Sequence, residues 1–339
     1  MRAFRLVVAS LVGALWSGVA AAGPSLDRVI ERGTLKCGVV EPSVGLFTID
    51  ESGKPVGFFA DFCRAIAVAL LKSTDAVEYV QLNAQTRFDA LRAGEVDVMV
   101  ANTTMTLSRE SGAGMKFAGI YYYDGQGFMA HRAVAPASLA QQPSATVCVT
   151  TGTTTEYNLN EVRTARKLAL EILPFRSVDE MFNAFFARRC DLVTTDRIAL
   201  ASQRVSRAPK PADFVILPDI ISKEPLGPLT RDDDLQWNEI VAWTLNAMLT
   251  AEEKGITMAT VDNMRQSKDQ EIRRLLGVEG KLGASLGLDG EWAYRIIKQV
   301  GNYGEVFERN LGSNSPLALE RGQNALWSSG GLLYSPPFR

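Results

Sequence analysis

Histidine and cysteine are scarce in this chain of 339 residues. His131 is the only histidine, and the four cysteines show no Cys-x-x-Cys spacing. Because structural and catalytic metal sites draw mainly on these ligands, we expect no metal and no cofactor. A single histidine also leaves no convincing Ser–His–Asp or Cys–His set, which argues against an enzyme.

Basic clusters and long apolar runs are missing from most of the chain. The 36 Lys and Arg residues are interspersed with 38 Asp and Glu residues, so we expect no nucleic-acid partner. The exception lies at the N-terminus, where Arg2 and Arg5 precede an apolar stretch that ends in alanines at Ala22. That pattern is typical of a signal peptide over residues 1–22, cleaved near Ala22, and it predicts export from the cytoplasm.

The four cysteines make an even number, and disulfides persist in exported proteins. They are Cys37, Cys63, Cys148 and Cys190. Four cysteines allow three pairings, so the sequence leaves the connectivity open. Pairing of sequence neighbours would place one bridge in each half of the chain.

Strands and helices alternate along the chain in two runs. The first run has strands at 35–40, 77–82 and 95–101, with helices at 58–71 and 86–93. The second run has strands at 146–150, 170–175, 191–195 and 214–217, with helices at 153–169, 178–187 and 198–205. This alternation predicts parallel βαβ units and an α/β fold.

The second run is too short to include the chain beyond Pro225. We therefore predict two lobes, one formed by residues 23–129 and 222–339 and the other by residues 130–221. Two segments would cross between them, near residues 127–132 and 219–225. Clefts between lobes commonly bind ligands, and hinge closure is their usual motion.

Residues 102–109 follow the apolar run 96–101 and place amide and hydroxyl groups beside Arg109. At the end of a buried strand, such a group suits a small carboxylate ligand, because arginine can hold a carboxylate with two parallel hydrogen bonds. An exposed loop with a solvated arginine remains the alternative. The candidate binding residues here are Asn102, Thr104 and Arg109.

Two positions in the second run could complete this site. Thr153 and Thr154 stand where a strand meets a helix, and Asp196 ends the next strand. A helix start favours anionic groups, and a carboxylate favours an ammonium, but each position could equally be a helix cap. Together with Arg109 they match the two charges of a free amino acid.

Long stretches of the chain resemble the periplasmic amino-acid-binding proteins of ATP-driven importers, and most of all the binding component of general L-amino-acid permeases. The similar segments are residues 35–39, 86–88, 94–98, 122–128, 147–149, 152–156, 189–191, 220–228, 301–305 and 330–334. The resemblance implies a two-lobed periplasmic-binding-protein fold of type II, in which each lobe is a mainly parallel sheet flanked by helices and two crossovers form the hinge. It also implies a periplasmic location.

The resemblance also implies roles for individual residues. Arg109 would bind the α-carboxylate, with Asn102 and Thr104 lining the same pocket. Thr154 and the backbone at Thr153 would approach the carboxylate from the other lobe, and Asp196 would bind the ammonium. Arg87 would select the ligand side chain, unless it is an ordinary surface arginine. Val44 takes the place of the aromatic residue that many relatives stack on the ligand, and Phe47 lies nearby.

The function that this implies is capture of L-amino acids, polar or acidic ones such as glutamate, glutamine, aspartate and asparagine. The partners would be the membrane permease subunits of an ABC importer and its cytoplasmic ATPase, and we expect a monomer. The alternatives are a periplasmic dehydratase-like enzyme on the same scaffold and a ligand sensor for a signalling partner.

Overall fold

A computed structural model describes residues 23–141 and 144–339. The predicted signal peptide lies outside the described residues. The strands are β1 Leu35–Val39, β2 Thr48–Ile49, β3 Pro55–Val56, β4 Val77–Gln81, β5 Val98–Met99, β6 Met115–Phe117, β7 Tyr122–Asp124, β8 Gln126–His131, β9 Ala145–Thr150, β10 Leu170–Phe175, β11 Leu192–Asp196, β12 Phe214–Ile216, β13 Glu224–Leu226 and β14 Leu229–Arg231. The helices are α1 Pro24–Arg32, α2 Phe58–Leu71, α3 Arg87–Ala93, α4 Leu107–Glu110, α5 Thr154–Ala165, α6 Val178–Phe186, α7 Arg197–Ser206, α8 Leu235–Glu253, α9 Val261–Met264, α10 Gln270–Leu275, α11 Leu282–Ser285, α12 Trp292–Gln299 and α13 Tyr303–Asn310.

Two five-stranded sheets share one arrangement. In the first, with order β4-β1-β5-β14-β6, β1 runs parallel to β4 and β5, and β14 is antiparallel to its neighbours. In the second, with order β10-β9-β11-β8-β12, β9 runs parallel to β10 and β11, and β8 is antiparallel to its neighbours. The α/β class and the two sheets flanked by helices are therefore confirmed.

The connection between the lobes differs in detail from the prediction. All of β8, Gln126–His131, pairs in the second sheet, so the predicted division after residue 129 falls inside a strand that belongs wholly to the second lobe. The crossing segments are β7 and β13, which pair antiparallel with Asp124 opposite Glu224. The first crossing was predicted a few residues too late, because residues 127–132 were taken to cross between the lobes, whereas β8 already begins at Gln126.

Helix α2 is apolar on nearly every side and is buried for most of its length. It packs against β1 on one side and against α8, α12 and α13 on the others. An all-apolar helix is stable in water only when it is covered in this way. The helices after residue 260 thus complete the core of the first lobe.

Each lobe contains one disulfide. Cys37 pairs with Cys63, which ties β1 to α2, and Cys148 pairs with Cys190, which ties β9 to the chain two residues before β11. The Cα–Cα distances of 6.1 and 5.8 Å lie within the usual range for disulfides. Of the three pairings that the sequence allowed, the structure has the local one.

Within the described part of the chain, no helix is both long and apolar enough to cross a bilayer. The same residues contain no cluster of His, Cys, Asp or Glu that could hold a metal ion. His131, the sole histidine, is buried in the second lobe between the rings of Phe185 and Phe214.

Candidate functional site

A cavity of about 90 Å³ lies between the two sheets. The carboxyl ends of β1 and β5 reach it from the first lobe, and those of β9 and β11 reach it from the second. In open α/β sheets, ligands bind beyond these ends of the strands. Of the predicted binding residues, five line the cavity: Arg87, Asn102, Thr153, Thr154 and Asp196.

Arg87 is not an ordinary surface arginine. It opens α3 and is only 8% exposed, and its guanidinium Nη1 donates a hydrogen bond of 3.2 Å to Thr103 Oγ1. The guanidinium carbon also lies 4.8 Å from the centre of the Phe88 ring. Desolvation by burial, together with the nearby charge of Arg109, lowers the pKa of Arg87 to about 9. A buried cation of this kind is stabilised by an anion, so Arg87 offers an anion-binding group to the cavity.

Arg109 and Thr104 are not among the described residues that line the cavity, contrary to the prediction. Thr106 caps the short helix α4, and the Arg109 side chain turns back so that Nη1 donates to the Thr104 carbonyl at 2.8 Å. The Arg109 guanidinium lies 5.2 Å from the same Phe88 ring that Arg87 approaches. Arg109 therefore stands behind Arg87 and adds positive charge to this side of the cavity.

Asp196 lies at the end of β11 and is 4% exposed. Burial and the nearby carboxylates of Asp124 and Glu224 raise the pKa of Asp196 to about 8, although a hydrogen bond from Asn102 opposes the shift. The cap alternative is excluded, because the Asp196 side chain makes no capping hydrogen bond to α7. Asp124 caps this helix instead, with Oδ2 accepting from Ile198 N at 2.9 Å. The Asp196 carboxylate is thus not used by α7, and it can meet a cation in the cavity.

Thr153 does cap a helix. Its Oγ1 accepts from Glu156 N at 3.2 Å and donates to the Thr150 carbonyl at 2.7 Å, which starts α5 at the cavity wall. Thr154, the first residue of α5, lies with its Oγ1 3.5 Å from that of Thr104 in the other lobe. Thr153 therefore caps α5 and lines the cavity at the same time, so its role as a helix cap does not exclude a role in ligand binding.

Glu224 was missed by the sequence analysis, which assigned its segment to a turn-rich crossing. It lies in β13, is 1% exposed and accepts hydrogen bonds from side chains of both lobes. The donors are Thr104 of the first lobe, Thr154 and Asn158 of the second lobe, and Ser222 beside the hinge. The role of Glu224 follows from its burial at the hinge. Burial of a single charged residue cannot be read from a short polar segment of sequence.

The two lobes are in contact around the cavity, so the structure is a closed form. Asn102 Nδ2 donates to Asp196 Oδ2 at 2.6 Å, and at the rim Gln85 Nε2 donates to the Thr151 carbonyl at 3.1 Å. On the far side, Ser43 Oγ lies 2.6 Å from Ser202 Oγ. These contacts place groups of both lobes on one enclosed volume.

Neither Val44 nor Phe47, the two residues considered for stacking on a ligand, lines the cavity. Phe47 is buried against the Tyr79 ring, and the described cavity wall contains Ser43 and Leu46 rather than Val44 or Phe47. The Val44 carbonyl instead accepts a hydrogen bond from Ser202.

Residues 35–259 match the profile of the bacterial extracellular solute-binding proteins, family 3. This chain belongs to that family. The chain is 45% identical over 322 residues to the general L-amino acid-binding periplasmic protein AapJ of Rhizobium johnstonii, covering 94% of each protein. It is also 45% identical over 329 residues to the glutamate/glutamine/aspartate/asparagine-binding protein BztA of Rhodobacter capsulatus, covering 97% of each.

A solved structure shows the same fold as this member of the family. It is an ABC transporter periplasmic binding protein from Brucella ovis with glutathione bound, 46% identical in sequence. The TM-score is 0.91, and the match covers 93% of this chain and 99% of the other.

Proposed function

We propose that this protein captures L-amino acids in the periplasm and delivers them to the membrane permease and ATPase of an ABC importer. The proposed ligands are polar or acidic amino acids, among them glutamate, glutamine, aspartate and asparagine. The names of the relatives from Rhizobium and Rhodobacter, which describe amino-acid-binding proteins, support this proposal.

One structural observation carries the proposal. The cavity has a buried guanidinium, Arg87, on the wall from the first lobe and a buried carboxylate, Asp196, on the wall from the second. Burial lowers the pKa of both Arg87 and Arg109, and Asp196 opposes this shift at each, so the three groups interact across the cavity. A free amino acid carries the complementary pair, a carboxylate and an ammonium. Charge-assisted hydrogen bonds are strongest in such a shielded place.

In the proposed complex, the arginine side of the cavity holds the α-carboxylate, with Thr153 and Thr154 beside it. The ligand ammonium meets Asp196. Because the groups come from both lobes, the ligand binds the closed form more tightly than the open one and shifts the population towards closure. The permease would then recognise the closed form.

The volume of the cavity favours a single amino acid. A cavity needs about 10–15 Å³ to hold one water, so 90 Å³ holds roughly six to nine water-sized groups. Glutamine has ten non-hydrogen atoms and glutathione has twenty, so this small closed cavity suits an amino acid better than a tripeptide.

Thermal shift against the common L-amino acids tests the proposal, with glutathione and D-glutamine as additional ligands. A specific ligand raises Tm by mass action, and titration calorimetry then gives its Kd. We expect shifts with polar or acidic L-amino acids and none with D-glutamine. Absence of binding by every amino acid, or binding of glutathione alone, would refute the proposal.

A further inference from the structure

A chain of three hydrogen bonds crosses between the lobes at one end of the cavity. Gln203 Nε2 lies 3.1 Å from Ser43 Oγ, Ser43 Oγ lies 2.6 Å from Ser202 Oγ, and Ser202 Oγ lies 2.6 Å from the Val44 carbonyl. Gln203 and Ser202 belong to α7 of the second lobe, whereas Ser43 and Val44 follow β1 in the first. The chain therefore exists only when the lobes are closed.

The protons of this chain fix the orientation of the Gln203 amide. The Val44 carbonyl can only accept a hydrogen bond, so the single hydroxyl proton of Ser202 is donated to it. The Ser202 oxygen must therefore accept a hydrogen bond from the Ser43 hydroxyl. Ser43 then has no second proton, and its oxygen accepts from the Gln203 NH₂ group. If the amide were reversed, one of the three contacts would have no proton. The Gln203 carbonyl oxygen, Oε1, therefore points away from Ser43.

Gln203 lines the cavity and is 3% exposed. Its Oε1 atom is buried and has no hydrogen-bond partner among residues 23–141 and 144–339. Buried polar atoms in native proteins nearly always have partners, and an exception calls for an explanation. A hydrogen-bond donor on a bound ligand would supply the missing partner.

The position of Gln203 would place it near the side-chain end of a ligand whose ammonium binds Asp196. Gln203 follows Asp196 by seven residues, so the two lie on the same face of the chain about two helical turns, or roughly 10 Å, apart. With the ligand ammonium at Asp196, an extended side chain would run along α7 towards Gln203. Glu41 also lines the cavity, and burial together with the nearby Asp179 carboxylate raises its pKa, although Arg207, one turn beyond Gln203, acts against this shift. The acceptors at this end of the cavity are therefore Gln203 Oε1 and the Glu41 carboxyl group.

We propose that Gln203 selects the ligand side chain by accepting a hydrogen bond from a terminal carboxamide NH₂ group. The inference rests on the proposed function and adds a preference to it: glutamine or asparagine over glutamate or aspartate. A side-chain carboxylate has no proton to donate at neutral pH, and its charge would lie near that of Glu41. The Ser43–Ser202 pair is the anchor that holds the amide in this orientation.

Calorimetry with two closely matched ligands tests the inference. The first is L-glutamine, and the second is L-glutamic acid γ-methyl ester, which keeps the carbonyl acceptor but lacks the N–H donor. We expect the wild-type protein to bind glutamine about tenfold more tightly than the ester, as one hydrogen bond allows. In Gln203→Leu the two affinities should agree within about twofold.

Gln85→Leu is the matched control, because Gln85 makes a contact between the lobes at the exposed rim and does not line the described cavity. Gln85→Leu should weaken the binding of both ligands equally and leave the ratio of their affinities unchanged. Equal wild-type affinities, or an unchanged preference in Gln203→Leu, would overturn the inference. If Gln203→Leu fails to fold, the ratio of the wild-type affinities for glutamine and the ester alone tests the inference.

The outcomes also separate this inference from the proposed function. If the wild-type protein binds amino acids without preferring the carboxamide, only the role of Gln203 is wrong. If it binds no amino acid at all, both proposals fail.

Discussion

Asn102 and Asp196 form a hydrogen bond of 2.6 Å that joins the two lobes across the cavity. Asn102 follows β5 in the first sheet, and Asp196 ends β11 in the second. The Asn102 amide donates to the same carboxylate that would bind the ammonium of the proposed ligand. A bound amino acid would therefore supply a stronger, charged donor at the same carboxylate that the protein uses to close upon itself.

Asp196→Asn should weaken amino-acid binding strongly. The change keeps the shape of the side chain but leaves the ligand ammonium without a charged partner. A hydrogen bond to a charged group contributes about 1.5–3 kcal/mol, so we expect Kd to rise roughly 10- to 150-fold by calorimetry.

Asp191→Asn is the matched control for this change. Asp191 lies five residues earlier and is exposed, and its carboxylate accepts hydrogen bonds from Thr146. It should lower stability slightly and leave Kd unchanged. An Asp196→Asn protein that binds glutamine as tightly as the wild type would exclude the proposed role of Asp196.

Arg87→Ala and Arg109→Ala should both weaken binding, and Arg87→Ala should do so more. Arg87 faces the cavity, whereas Arg109 stands behind it and bonds to the Thr104 carbonyl. We expect a loss of at least 100-fold for Arg87→Ala, with Arg92→Ala as a control on the exposed side of the same helix. A larger loss for Arg109→Ala would show that the ligand moves Arg109 into the cavity, as the resemblance alone implied.

Glu224→Gln should shift the protein towards the open form. The change removes the negative charge that gathers hydroxyl and amide donors from both lobes at the hinge. We expect a larger radius of gyration in small-angle X-ray scattering without ligand, and a Kd raised about tenfold. Glu161→Gln, on the exposed face of α5, should change neither quantity. An unaltered scattering curve for Glu224→Gln would contradict a role of Glu224 in holding the two lobes together.

Affinity for glutamine should fall as the pH falls from 8 to 5. The pKa of Asp196 is raised above its usual value of 3.8, mainly by burial and by Asp124 and Glu224. The ammonium must therefore displace a proton at lower pH, which costs up to tenfold in Kd per pH unit below that pKa. Glutamine itself does not titrate in this range. A flat profile in the wild type, or an equal slope in Asp196→Asn, would contradict the assignment.

The pKa of Asp196 also predicts the sign of a stability change. A raised carboxyl pKa means that the folded, closed form binds a proton more tightly than the unfolded chain. The free energy of unfolding therefore falls as pH rises from about 4 through the raised pKa. In the ligand-free protein, Asp196→Asn should flatten this part of the stability profile.

Much of the fold could be predicted from hydrophobic pattern alone. Helix 58–71 and strand 170–175 were predicted with the bounds that the structure has. These segments are long, regular and flanked by clear breaks. The hinge was harder, because β7 and β8 are separated by Gly125 alone and the pattern does not show that they belong to different sheets.

The site was predicted in outline but not in orientation. Asn102, Thr153, Thr154 and Asp196 reach the cavity because they follow strands, and strand ends can be read from sequence. The direction of an arginine side chain cannot be read in this way. Arg109 turned back to the Thr104 carbonyl, and Glu224 acquired its role only through contacts with two distant segments, the one around Thr104 and helix α5.

The central claim is that the cavity recognises both charges of a free amino acid at once. Calorimetry of the wild-type protein with L-glutamate and with 2-oxoglutarate tests it most directly, since 2-oxoglutarate keeps both carboxylates but lacks the ammonium. We predict binding of L-glutamate and a Kd for 2-oxoglutarate at least 100-fold higher. Equal affinities for the two ligands would show that Asp196 does not bind an ammonium, and the account would be wrong.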